Sequence, residues 1–243
     1  MHKKRQIKVC LSPALFDLYS DRKSLIVVVD ILRATSAMCA AFHNGVKTIT
    51  PVSTVEEALE YKSKSDYIIA AERNGEKVSG FDYGNSPIQY VKSNIKDKNL
   101  VMTTTNGTRA INIAKKDHEV VIGSFLNITA LVKWLNKQNK DIIILCAGWK
   151  DDFCLEDSLF AGILSQKLLD TKFFTCFNDS AYAAIELYIN SKDDIFDFLS
   201  NSQHRKRLEH LKIISDIKFC LKNDVTDIIP VLKDDKLIIS NKK

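Results

Sequence analysis

The stretch Ser24–Ser36, SLIVVVDILRATS, constrains the fold more than any other part of the chain. Leu25 to Val29 is an unbroken apolar run, largely β-branched, that ends in the carboxylate of Asp30. A run without alternation suits a central strand covered on both faces. Behind it, Arg33, Thr35 and Ser36 lead into Ala37, Met38, Cys39, Ala40 and Ala41, the pattern of a helix start. Strand, turn and helix in that order collect catalytic groups at the carboxyl edge of a parallel sheet. Asp30 is expected at that edge, with Arg33 one short turn away. A carboxylate there can hold a metal, and an arginine with a helix N-terminus can hold an oxyanion.

The same alternation recurs along the chain. Strands are expected at Lys8–Leu11, Ser24–Asp30, Lys47–Val52, Tyr67–Ala71, Leu100–Thr103, Val120–Gly123 and Asp141–Cys146. Helices are expected at Thr35–Phe42, stopped near Asn44-Gly45, and at Val55–Ser63, opened by a capping box Ser53-Thr54-Val55-Glu56. Further helices follow at Arg109–Lys116, Thr129–Lys137 and Leu155–Leu169. Arg73 to Pro87 reads as a long glycine-rich loop, which in a compact α/β protein is more often functional than idle. Residues 178–223 are helical and more charged, a candidate cap, and Asp227–Leu232 with Leu237–Ile239 form a closing strand pair. The fold class is therefore α/β, a layered α/β/α arrangement on a mainly parallel sheet with a C-terminal helical portion. Residues 1–243 form a single unit, or two tightly packed subdomains at about 1–125 and 126–243.

Composition excludes several classes. With 243 residues and 45% hydrophobic content the chain can bury a substantial core. Its net charge of +5 comes from scattered lysines, with no dense basic block interleaved with aromatics, so no nucleic-acid partner is expected. The longest apolar run falls far short of the roughly 20 residues of a membrane helix, and the opening MHKKRQIKVCLS has no apolar stretch of signal-peptide length. Six cysteines lie singly, without a CxxC pair, as in a reduced cytoplasmic protein. A homodimer is one expected assembly. There is no GxxxxGK[ST], no GxGxxG, no HExxH, no cysteine followed six positions later by arginine, and no second aspartate two residues after Asp30. P-loop, dinucleotide, zincin, cysteine-phosphatase and haloacid-dehalogenase chemistries therefore drop out.

Three strand ends share a design: Asp30…Arg33-Ala-Thr35-Ser36, Thr104-Thr105-Asn106-Gly107-Thr108, and Cys146-Ala-Gly148…Glu156-Asp157. The first two put small hydroxyl or amide residues at a helix start, where unpaired N–H groups and the helix dipole suit an anion. Ordinary N-capping explains Thr and Ser there equally well. Asp30, Glu72, Glu156 and Asp157 each follow a strand or open a helix, and two or three such carboxylates at one sheet edge are an oxygen cage for Mg²⁺. First-turn placement is the competing account of Glu156 and Asp157. Asp30 is harder to dismiss, because a charge ending a central strand needs partners. Arg33 can clamp a phosphate or sulfonate, or pair with Asp30. His204, with Arg205 and Arg207, lends charge to the site or belongs to a solvated basic helix face.

Together VVVDILRATSAM, the GNSP of Gly84–Pro87, TTTNGT at Thr103–Thr108 and CAG…EDSLFAG from Cys146 to Gly162 resemble the 2-phosphosulfolactate phosphatase (ComB-like) family. The resemblance continues through Ser202–Leu208 and Asp216–Cys220; Ser36 stands where threonine is common in the family. It implies a Mg²⁺-dependent phosphatase converting 2-phospho-3-sulfolactate to 3-sulfolactate and phosphate, a step toward coenzyme M, on an α/β fold of its own. Asp30, Arg33, Glu72, Glu156 and Asp157 are then the expected catalytic groups, with Asp30, Glu72, Glu156 and Asp157 as metal ligands. Thr35, Ser36, Asn85, Ser86, Thr105, Asn106, Gly107, Thr108, Gly148 and His204 are the expected substrate contacts. The nucleophile is a metal-activated water or Asp30 itself. A phosphatase for another phosphorylated 2-hydroxy acid, or a non-catalytic binder of such anions, remains open.

Overall fold

The computed structural model describes residues 4–211 and 213–240. Eleven strands occur in chain order: β1 (Arg5–Cys10), β2 (Leu25–Val29), β3 (Thr48–Pro51), β4 (Tyr67–Arg73), β5 (Glu76–Lys77), β6 (Asn99–Thr103), β7 (Val120–Gly123), β8 (Ile142–Cys146), β9 (Phe174–Cys176), β10 (Pro230–Lys233) and β11 (Lys236–Ile239). They join in one sheet of order β5-β4-β6-β3-β11-β10-β7-β2-β8-β1-β9. Two parallel blocks, β4-β6-β3 and β7-β2-β8-β1-β9, are bridged by the β10–β11 hairpin. The hairpin pairs antiparallel with β7 and β3 through one residue each, Val231 with Val121 and Leu237 with Ile49. The closing strand pair thus exists, but in the middle of the sheet.

The β2 run behaves as its composition demands. Ile26 and Val28 enter one core, while Leu25, Val27 and Val29 enter a second on the opposite face. At about 1.5–3 kcal/mol per buried side chain, such a strand is anchored from both sides. The first core surrounds the helix Ala34–His43, whose residues Ala34 to Phe42 are all buried. A helix of mostly small residues, apolar all round, is a central element. Side chains from both blocks pack on it, Val28, Ile122 and Leu145 from one and Ile49, Leu100 and Met102 from the other. The ends of β2, β4, β6 and β8 consequently meet near its N-terminus. The second core is covered by the helices Ile128–Lys137, Leu155–Asp170 and Asp179–Ser191.

Some local expectations shift. Thr54 caps the helix Val55–Leu59 by accepting from Glu57 N–H, and Glu57 in turn accepts from Ser53 N–H, so the capping pair lies one residue later and the helix is shorter. The loop 73–87 contains β5 and ends in a helix, Pro87–Lys92, started by Ser86 and a proline at its first position. The C-terminal helical portion comprises Asp179–Ser191, Ile195–Phe198, Gln203–His210 and Ile214–Cys220. No helix among the described residues is long and apolar enough to cross a membrane.

Candidate active site

Asp30 leaves the end of β2 and remains 7% exposed. Thr35 staples its backbone, donating from Oγ1 to Asp30 O at 2.9 Å and accepting from Asp30 N–H at 3.1 Å. One carboxylate oxygen, Oδ1, accepts from Ala34 N–H at 3.1 Å. The other, Oδ2, lies against Gly107 at the start of the helix Gly107–Ala114; a Cβ there would sit 2.8 Å from Oδ2 and 2.5 Å from the Ala34 Cβ. Only glycine allows that approach. Burial, reinforced by the charges of Glu72 and Glu156, pushes the Asp30 carboxyl up to about 6 against the opposing pull of Ala34 N–H and His204.

Glu72, near the end of β4, is buried and held by three donors: Gly75 N–H at 2.6 Å, Thr105 N–H at 3.2 Å and Thr105 Oγ1 at 3.3 Å. Arg33 points to neither carboxylate. Its Nη1 donates to Asp216 Oδ2 at 2.6 Å and its Nη2 to Gly75 O, and the pair is buried. Asp216 also accepts from Ser86 Oγ at 2.7 Å. Of the two readings of Arg33, the pairing with Asp30 gives way to Arg33–Asp216. A buried arginine needs a fully desolvated partner, and Asp216 in the C-terminal helix Ile214–Cys220 supplies it.

Glu156 opens the helix Leu155–Asp170 and contacts His204 Nδ1 through Oε1, while Oε2 accepts from Ser202 Oγ at 3.4 Å. Burial alone raises its pKa, but the charge and hydrogen bond of His204 bring it below the usual carboxylate value. Asp157 differs. Its two oxygens accept Ile31 N–H at 2.9 Å and Gly148 N–H at 3.1 Å, bracketing the chain where it leaves β2 and β8. Burial first, then the charges of Glu156 and Asp30, hold it well above the ordinary aspartate value.

A small, tight cleft gathers Asp30, Leu32, Arg33, Glu72, Gly75, Asn85, Asn106, Trp149, His204 and Leu208. Six of the expected site residues thus share one cavity: Asp30, Arg33, Glu72, Asn85, Asn106 and His204. Asn85 Oδ1 is buried without a hydrogen-bond partner. Asn106 accepts from Lys150 N–H at 3.2 Å through Oδ1. Other expected contacts face inward. Ser36 donates to Ile31 O and meets Ser124, and Thr108 is locked reciprocally to Thr104. Thr35, Ser36 and Thr108 are at most 1% exposed, so their hydroxyls hold the turns rather than line the cleft. Ser86 is committed to Asp216, Thr105 to Glu72, and Gly148, at φ +61°, turns the chain so closely on Asp152 O that no side chain fits.

Trp149, Arg207, Asp216 and Cys154 complete the surroundings; Arg207 is expected from the sequence only as a charge lent beside His204, Asp216 lies in a segment of the resemblance without a role, and Trp149 and Cys154 are not among the candidates. The Arg207 guanidinium lies 3.5 Å over the Trp149 ring, with Nη2 buried and unpartnered, and the Trp149 and His204 rings are 5.7 Å apart. An orphaned, buried arginine nitrogen beside a cleft is a place for an anion. Asp30 and Glu72 with the free Asn85 carbonyl oxygen form a hard-oxygen donor set, the chemistry that suits Mg²⁺ with water completing its shell.

Fold and cleft together describe an α/β enzyme whose charged groups gather at strand ends, the arrangement suited to phosphoryl chemistry. Residues 10–235 match the family model described as 2-phosphosulpholactate phosphatase. A protein of Caldanaerobacter subterraneus named probable 2-phosphosulfolactate phosphatase is 42% identical over 212 residues, covering 86% of this chain and 88% of its own length. Proteins of the same name from Thermotoga maritima and Clostridium beijerinckii are 39% and 35% identical, covering 88% and 89% of this chain and 91% and 92% of their own. The chain belongs to the 2-phosphosulpholactate phosphatase family, and with it to the phosphoric monoester hydrolases.

Proposed function

We propose that this protein hydrolyses 2-phospho-3-sulfolactate to 3-sulfolactate and phosphate with the help of Mg²⁺, the kind of step that leads toward coenzyme M. The observation that carries the reading is the Asp30 carboxylate, buried at the end of β2 and gathered into one cleft with Glu72, Arg33 and the unpartnered Asn85. The names of the similar proteins support the substrate. Asp30, Glu72 and Asn85 Oδ1 are the groups that would hold Mg²⁺, which supplies charge neutralisation of the transferring phosphoryl group. Arg33, anchored by Asp216 and Gly75, keeps further N–H donors for phosphoryl oxygens whose charge grows in the transition state. His204, oriented by Glu156, is the group placed to move a proton during the reaction, a pair of proton carrier and orienter. The Asn106 amide N–H groups and the free Nη2 of Arg207 hold the sulfonate and carboxylate end.

The substrate is tested by phosphate release from racemic 2-phosphosulfolactate, with Mg²⁺ and with chelator, beside 2-phospholactate and p-nitrophenyl phosphate. Metal-dependent turnover that is fastest on phosphosulfolactate is the expected result. Equal turnover of phospholactate removes the sulfonate from recognition, and no release from any ester overturns the reading.

A further inference from the structure

Cys154 and Glu156 lie behind His204, which lines the cleft, and the phosphatase reading uses two of the three. One donor atom from each, Sγ, a carboxylate oxygen and a ring nitrogen, lies within 4.8 Å of the other two. Among the described residues this is the only group of three His, Cys, Asp or Glu side chains with that spacing. The Cys154 Sγ is 4.0 Å from His204 Nδ1, the same nitrogen that contacts Glu156 Oε1. Cys154 is a free cysteine, and although it stands at the N-cap of the helix Leu155–Asp170 its side chain makes no capping hydrogen bond. The Cys154 thiol is thus unspent on the helix cap, and it converges with a Glu156 oxygen and the His204 ring nitrogen on one point.

Their chemistry differs from that of the rest of the cleft. Asp30, Glu72 and Asn85 present hard oxygen, whereas sulfur, imidazole nitrogen and one carboxylate are the donor set of zinc and its neighbours. Three protein donors leave a fourth position open, as in exchangeable rather than closed structural sites. A thiolate and a carboxylate balance the charge of a dication. Without an ion, burial and the charges of Glu156 and Asp157 keep the thiol protonated. Binding therefore releases the thiol proton and replaces the Glu156–His204 contact with two bonds to metal.

We propose that Cys154, Glu156 and His204 form a thiophilic divalent-cation site of the zinc class, distinct in donor chemistry from the oxygen groups of Asp30 and Glu72. Occupancy there arrests turnover by withdrawing His204 and Glu156 from proton transfer. The arrest rests on the phosphatase reading; the binding does not.

The test is spectroscopic. The full chain, freed of metal with chelator, is titrated with Co²⁺ and followed by near-ultraviolet absorption. The expected result is a thiolate-to-cobalt charge-transfer band that saturates at one equivalent and is erased by one equivalent of Zn²⁺. Cys154→Ser removes the band and weakens Co²⁺ binding by at least about tenfold, whereas Cys176→Ser, at the partly exposed cysteine of β9, leaves both unchanged. Absence of the band at one equivalent, or its persistence in Cys154→Ser, overturns the proposal. Should Cys154→Ser lose its native circular dichroism, His204→Gln decides: unchanged Co²⁺ affinity refutes the site. A protein that shows the band but releases no phosphate from any ester keeps the site and loses only the arrest.

Discussion

Asp30 and Thr35 stand five residues apart on one turn, and the fold uses them in opposite ways. Thr35, with Ser36 below it and Thr108 on the neighbouring helix, is fully bonded to backbone or to another hydroxyl. Asp30 sits above them in the cleft, with one oxygen on Ala34 and the other pressed against Gly107. The hydroxyls form a satisfied layer that sets the turns, and the charged groups form a layer held on it. Ser and Thr at helix starts look alike in both roles, because an anion cradle and an N-cap use the same donors. What separates them is whether the hydroxyl already has a partner.

Substitutions in the two layers should therefore separate stability from turnover. The largest effect is expected at Asp216, the partner of buried Arg33. Asp216→Ala leaves an unpaired buried charge and costs about 3–5 kcal/mol in urea unfolding, while displacement of Arg33 lowers kcat/KM on the order of 100-fold. Next comes Gly107→Ala, which forces a Cβ into Ala34 and Asp30. It should cost about 1–3 kcal/mol, with kcat falling because Asp30 moves. In the hydroxyl layer, Thr108→Val should cost about 1–3 kcal/mol through the orphaned Thr104 groups and leave KM near the wild-type value. A large rise in KM would break the comparison and return Thr108 to substrate binding. Smallest is Arg109→Ala, which removes an exposed pair with Asp151 at 2.7 and 2.9 Å. It should change stability by less than about 1 kcal/mol, and less still at high salt.

Much of this was legible in the chain. The β2 run, the strand Val120–Gly123 and the alternation into α/β needed only local pattern, and the carboxylates at strand ends led to Asp30 and Glu72. What escaped was whatever depends on distant partners. Asp216 sits in ISDIKFC and meets Arg33 across 183 positions, so no local spacing marks it. The hairpin's place in mid-sheet rests on single-residue pairings with β3 and β7. The helix Pro87–Lys92 carried its signal, Ser86 followed by proline, but the glycines before it made the segment read as loop. Asp157 and Glu156, adjacent in sequence, point to different tasks because one helical step separates a backbone bracket from the His204 contact.

On the proposed function, Asp30 is a charge kept in the fold for its chemistry and against its stability. Its carboxyl is raised from 3.8 to about 6, so the folded state disfavours the ionised form. That penalty is absent below the unfolded value, grows between about pH 4 and 6, and is complete above it. The decisive measurement is Asp30→Asn against the wild type, with phosphate release in Mg²⁺ and unfolding free energy in chelator from pH 4 to 8. The account predicts no detectable turnover together with a gain in stability at neutral pH that vanishes toward pH 4. Near-normal turnover by Asp30→Asn, or a loss of stability at neutral pH, would contradict it.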